Sequence, residues 1–193
     1  MQTDETAGRG AGPAGPDGVA GSAWLRGALS RLGAMFPPGA DVRRVVTRAR
    51  IDVDPAEVWR RIAFYEDIPQ RPSLFLRMLA PVPVRTSKPG LRVGAMVDCT
   101  YTEGGTLTKR ITVVEPPSLL RFEVVDQRLG IESFVRTMEG SYEVTATPTG
   151  SEMALTTIYR GSLRPRWLWG APERWLAGQL HRHILRGMGA RAS

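Results

Sequence analysis

Eight side chains that can move a proton, hold a charge or act as a nucleophile fall on the apolar parity of predicted strands: Cys99, Tyr101, Lys109, Asp126, Arg136, Tyr142, Thr157 and Tyr159. Lys109, Asp126 and Arg136 would recognise a polar group of a ligand or, in an enzyme, would move protons together with the tyrosines or His183. Cys99 would be a nucleophile only as a thiolate, whereas a lone strand cysteine ordinarily serves as a small buried apolar residue. With tight turns at Gly104-Gly105 and Pro116-Pro117, Cys99 faces Lys109, Lys109 faces Asp126, and Arg136 follows on the next strand. Burying such a row of charge is costly unless it is paired or solvated. It therefore implies mutual salt bridges, a wet cavity or a polar ligand group.

His183 shares the apolar side of a predicted helix with Leu176, Leu180, Ile184 and Gly187, where it would be a general acid or base, or more ordinarily a hydrogen-bonded core residue. His181 lies about 200° around the axis from it, so the two cannot share a metal as i and i+4 residues do. No metal site and no cofactor are expected. The chain lacks the Gly-x-x-x-x-Gly-Lys-Ser/Thr pattern, and the glycines at 8–18 follow no strand, which argues against phosphate cradling. No catalytic constellation is assigned.

The elements that would position these groups can be read from period and punctuation. Residues 43–53 alternate as a strand with one buried face, and Asp54-Pro55-Ala56-Glu57 supplies a cap, a first-position proline and a glutamate three residues after the cap. A helix to about Phe64 follows, then a second, broken helix over 65–79 that Pro81 and Pro83 terminate. Strands are predicted at 82–88, 92–102, 106–115, 119–128, 132–147 and 152–163, separated by hairpin-length turns, so the sheet is antiparallel. A final amphipathic helix over 172–188 is the element available to cover the apolar concave face.

Residues 1–21 are Gly-, Ala- and Pro-rich and expected to be disordered, while 22–36 carry Trp24, Leu25, Leu29, Leu32 and Phe36 at helical spacing. Pro37-Pro38-Gly39 ends that segment, giving a tail over 1–40 and one domain over 41–193. At 193 residues, 42% hydrophobic and 23% charged, the chain suits a single compact domain. No apolar run reaches the roughly 18 residues of a membrane span, and the acidic start differs from a secretory signal, so a cytoplasmic location is expected. The single cysteine excludes an intrachain disulfide.

The net charge of +7 is uneven: residues 160–193 hold seven arginines against Glu173 alone. Trp167, Trp169 and Trp175 stand among Arg164, Arg166 and Arg174, a composition suited either to peripheral contact with an anionic membrane or to packing at the start of the helix. Nucleic acid is not expected as a partner, because Tyr142 and Tyr159 fall on the covered face of the sheet.

Strand-Asp54-Pro55-Ala56-Glu57-Val58-Trp59, then Val93-Gly94-Ala95, Val113-Val114-Glu115-Pro116-Pro117 before Leu120 and Phe122, and Gly140-Ser141-Tyr142, in this order and spacing, resemble the START-like superfamily over about 43–190. That group includes polyketide cyclases and lipid-transfer proteins. The resemblance implies an α+β helix-grip fold: a seven-stranded curved antiparallel sheet wrapped around a long C-terminal helix, with two short helices after the first strand. It also implies a cavity for a small hydrophobic molecule, lipid- or polyketide-like, and brings no universal catalytic residues. Binding or carriage without a dedicated catalytic site is the expectation, with cyclase or dehydratase chemistry in the same cavity and a membrane- or partner-associated localisation module as alternatives.

Overall fold

The computed structural model describes residues 41–63, 76, 79–87 and 90–190. The expected tail and its amphipathic segment lie outside the described residues, as does most of the second short helix, of which Leu76 and Leu79 are described and helical. The elements are β1 (Asp41–Ile51), α1 (Pro55–Ala63), β2 (Pro83–Thr86), β3 (Met96–Tyr101), β4 (Thr106–Glu115), β5 (Leu119–Arg128), β6 (Val135–Thr147), β7 (Gly150–Gly161) and α2 (Arg166–Gly187). All seven strands form one antiparallel sheet in the order β1-β7-β6-β5-β4-β3-β2, curled about the C-terminal helix, which is the helix-grip arrangement.

Local chemistry accounts for the ends of these elements. Asp54 Oδ1 accepts the Glu57 backbone N–H at 2.9 Å and caps α1, while Glu57 pairs with Arg60 and Arg61 one turn on. The buried side of α1, Val58 and Ile62, joins Ile51, Met153 and Leu185 in the main core. Alternation along β7 sends Ser151, Met153, Leu155 and Tyr159 inward.

Irregularities change the expected register, three of them at the expected site residues and others at Val84 on β2 and Thr112 on β4. The β3–β4 connection is a 3-10 turn over Thr102–Gly104, with Glu103 at φ 63° and Gly104 at φ 77°, so the hairpin closes later than a tight turn would. Lys109 accordingly pairs with Val97 and Cys99 with Leu107, not with each other. On β5, Thr108 pairs with Asp126 but Lys109 pairs with Val124, leaving Val125 as the extra residue of a bulge. One inserted residue reverses the face of every residue beyond it. Asp126 therefore points outward, exposed, with its carboxylate 2.9 Å from Arg128 Nε. A second bulge at Met138 does the same to Arg136, which is exposed and sits across from Arg160. The inward row of charge is thus not formed. These bulges also bend the strands that carry them, consistent with the curl of the sheet.

The C-terminal helix begins at Arg166, six residues before the expected start, and contains Pro172 in its interior. Pro165 O accepts N–H bonds from Leu168 and Trp169, so the aromatic run is the first turn of the helix. The sheet-facing stripe is also rotated from the expected one. Gly170, Glu173, Gly178, His181, Leu185 and the expected His183 and Ile184 are buried on α2, whereas Leu176 packs on Leu76, Ala80 and Val82, and Leu180 on these and on the main core. The helix is covered on two sides.

Candidate functional site

Helix α2 packs mainly across β1 and β7, and α1 against β6 and β7, so the inward face of β3, β4 and β5 lies away from the principal helix contacts. On that face stand Cys99, Tyr101, Lys109 and Phe122, with Tyr142 on β6, among Val97, Leu107, Ile111 and Leu120. Lys109 is only 7% exposed, and its Nζ lies 4.5 Å from the centroid of the Phe122 ring, a cation–π contact out of water. Phe122 is tilted 40° against Tyr142 at 6.1 Å between centroids. The ring can occupy this position because its cross-strand neighbour is Gly140: a Cβ there would come within 2.3 Å of Phe122 Cζ.

The other members of this pole are Tyr101 and Cys99. The Tyr101 hydroxyl is pushed up to about 12, chiefly by burial and further by Cys99, against the opposing pull of Lys109. Like any tyrosine it is protonated at neutral pH and can donate a hydrogen bond, and burial makes it a weaker acid than usual. Cys99 is 1% exposed and accepts from Thr86 Oγ1 at 3.7 Å, the surroundings of a packed thiol. The pole brings an ammonium, a phenol and two aromatic rings together in an apolar setting. Gly140→Ala should disrupt it, costing about 1–3 kcal/mol in denaturant unfolding by displacing the Phe122 ring; a neutral effect would mean that this ring does not depend on the glycine.

Thr157 takes part in a different arrangement. His181 Nδ1 lies 3.0 Å from Thr47 Oγ1 on β1, and Nε2 lies 2.8 Å from Thr157 Oγ1 on β7, so one imidazole ties α2 to two strands. His181 is 2% exposed, and burial, helped by Arg182, lowers its pKa to about 4. The ring is neutral, donating through one nitrogen and accepting through the other. His183, 5% exposed, is also shifted down by burial and by Arg186.

A lowered folded-state pKa means that the unfolded chain binds the proton more readily. The stability from His181 is therefore complete above about pH 6.5 and is lost as pH falls toward 4. About 2 kcal/mol of it should disappear between pH 7 and pH 5. In paired urea titrations at those two pH values His181→Gln should lack this increment; equal losses in both proteins would remove His181 from the account.

A family model described as polyketide cyclase / dehydrase and lipid transport matches residues 42–192. The chain belongs to this family. Its place in the START-like superfamily agrees with the helix-grip sheet and helix. Among solved structures, the chain is similar to ginseng major latex-like protein 151 from Panax ginseng, at 12% identity over 77% of this chain and 95% of that one, with a TM-score of 0.53. It is also similar to protein CV1439 from Chromobacterium violaceum, at 12% identity over 76% of this chain and 94% of that one, with a TM-score of 0.50. At these identities the likeness concerns the fold alone. Comparison by sequence with curated proteins finds no match.

In this member of the polyketide cyclase / dehydrase and lipid transport family, Tyr159 belongs to a separate cluster under the first turns of α2. Tyr159 is 3% exposed, lies across from Arg43, and its hydroxyl has no hydrogen-bond partner among the described residues. Burial and Glu173 raise its pKa, opposed by Arg43, Arg166 and Arg174. Arg166 meets Glu173 through two bonds of 2.9 and 3.0 Å, and its Nε lies 3.3 Å from Asp41. This paired cluster fastens the start of α2 to the start of β1 and the end of β7. Among the described residues, no three His, Cys, Asp or Glu side chains gather as metal ligands, and no helix is long and apolar enough to cross a membrane.

The nine expected site residues thus divide by location. Cys99, Tyr101, Lys109 and Tyr142 come together at one pole; Thr157 joins His181; Tyr159 sits with the arginines; His183 is buried on α2; Asp126 and Arg136 leave the interior. The residues missed were Phe122, His181 and the Arg166–Glu173 pair. His181 has a signal in retrospect: Gly170, Glu173, Ala177, His181, Ile184 and Met188 recur at intervals of three and four. That stripe is too small and polar to be found by hydrophobicity.

Proposed function

We propose that this protein binds a small hydrophobic molecule, lipid- or polyketide-like, with its apolar body against the concave face of the sheet and a polar oxygen directed at Lys109 and Tyr101. The domain over 41–193 is the binding unit, and residues 1–40 are a tail. The supporting observation is Lys109, 7% exposed and seated over Phe122 in a largely apolar face where a lysine contributes little to packing. The protein acts as a carrier or sensor, in the cytoplasm, where a free buried thiol such as Cys99 is at home. It meets an anionic membrane surface to take up or release its ligand. The family description, which includes lipid transport, supports this reading.

Tyr101 favours one further reading. A phenol close enough to feel the charge of Lys109 can, together with the ammonium, stabilise the negative charge that develops on a carbonyl oxygen when the acidic methylene of a polyketide-like chain gives its proton to solvent water ahead of aldol closure. Tyr101→Phe separates the two. For a carrier it should weaken binding of anilinonaphthalene sulfonate, a probe with one apolar and one anionic end, by about tenfold or more, the worth of one hydrogen bond to an ionised acceptor. For an enzyme it should abolish turnover of a poly-β-keto thioester while that binding persists. Failure of the wild-type protein to turn such thioesters over would exclude the enzyme reading for that substrate class.

A further inference from the structure

Between Arg166 and Gly187, α2 carries one acidic residue, Glu173, and that carboxylate is buried against Arg166. The outward side of the helix is therefore free of negative charge. Trp167 is 83% exposed, Leu168 48% and Trp175 46%, and Arg174, Arg182 and Arg186 are exposed along the same helix. At about 100° per residue Leu168, Trp175, Arg182 and Arg186 fall within an arc of roughly 40°, and Trp167 and Arg174 widen it to one side only in the first turns, since Leu185, at the angle of Trp167 five turns on, is buried in the core. Three large apolar groups this open to water, on a face with only arginines for charge, are unusual for a surface with no partner.

We infer that this face of α2 seats on an anionic lipid bilayer, lying in the plane of the interface. Trp167, Leu168 and Trp175 enter the boundary between headgroups and acyl chains, where tryptophan is favoured, and Arg174, Arg182 and Arg186 lie against lipid phosphates. The inference deepens the carrier reading by giving the surface through which the protein would reach a membrane, but its geometry requires no bound ligand. Charge complementarity selects the occupant. The chain's own apolar segment over 22–36 contains Arg26 and Arg31 and no acid, and a second copy would bring the same three arginines. Both would be repelled by this face, whereas acidic lipid is attracted.

The test is flotation of the full-length protein with phosphatidylcholine vesicles, with and without phosphatidylglycerol, together with quenching of tryptophan emission by bromine-labelled acyl chains. Binding should require phosphatidylglycerol, fall with added salt and be accompanied by quenching. Trp167→Ser/Trp175→Ser should lose at least about tenfold in partitioning, and Arg174→Gln/Arg182→Gln about 25-fold, at roughly fivefold per arginine. All four positions are exposed, so circular dichroism should show both variants folded. Absence of binding to phosphatidylglycerol vesicles, or wild-type binding by both variants, overturns the inference. Uptake of phenylnaphthylamine, measured without vesicles, separates the two readings: vesicle binding without uptake keeps this surface and removes the carrier, and uptake without vesicle binding does the reverse.

Discussion

Lys109→Met should weaken binding of anilinonaphthalene sulfonate by about 10- to 100-fold, while binding of phenylnaphthylamine, which lacks the sulfonate, changes little. The expected loss is that of one charge-assisted hydrogen bond in a site shielded from water, worth about 1.5–3 kcal/mol. Methionine has similar length and flexibility, and its thioether packs well on an aromatic ring, so the place above Phe122 remains filled. The fold should therefore persist, with unfolding free energy within about 1.5 kcal/mol of wild type. Fluorescence titration of both probes with both proteins measures the effect. Equal loss of the two probes would mean that the lysine shapes the site without recognising a head group, and no loss of either would place the ligand elsewhere.

Glu173→Ala should be the most destabilising single change near α2, costing about 3–5 kcal/mol in urea unfolding. Its carboxylate is 5% exposed, and the guanidinium that it grips, on Arg166, is 11% exposed. Removal leaves a buried cation whose remaining partners are the half-exposed Asp41 carboxylate near its Nε and the Leu163 carbonyl, which accepts from Nη1 at 3.3 Å. The pair is also wedged against Gly161, where a Cβ would approach Glu173 Oε2 to 2.6 Å, so little room exists for water to replace the lost oxygens. Arg166→Met/Glu173→Leu should recover most of the loss, because the cost lies in the uncompensated charge and not in the absence of the ion pair. A loss below about 1 kcal/mol for Glu173→Ala would put the pair in the class of exposed ones.

The fold was legible because its signals are local. The alternation of β1, the Asp54-Pro55-Ala56-Glu57 cap and the Gly and Pro punctuation each specify an element without reference to the rest of the chain, and the order from β2 to β7 follows from short antiparallel connections, whereas the pairing of β1 with β7 does not. The candidate site was legible only in part, because side-chain direction depends on unbroken parity. Cys99, Tyr101, Lys109 and Tyr142 lie where parity holds, and they are inward. Asp126 and Arg136 lie beyond bulges at Val125 and Met138, which reverse them, and neither bulge carries a glycine or proline to announce it. The same limit applied to α2. Pro172-Glu173 has the form of a helix start, but the helix had already begun at Arg166, and a proline in its interior is tolerated at the expense of one backbone bond. The sheet contact of α2 is built from Gly170 against Arg43, His181 and a buried carboxylate, residues whose burial depends on partners distant in sequence.

The central claim is that the inward pole of Lys109, Tyr101 and Phe122 receives the head of an apolar ligand. Native mass spectrometry of the purified full-length protein, with organic extraction and identification of any molecule that co-purifies, tests it most directly. The account predicts a single apolar molecule with an anionic or carbonyl oxygen, at one per chain, and its absence from Lys109→Met prepared in the same way. A protein that carries nothing and binds neither anilinonaphthalene sulfonate nor phenylnaphthylamine would contradict it.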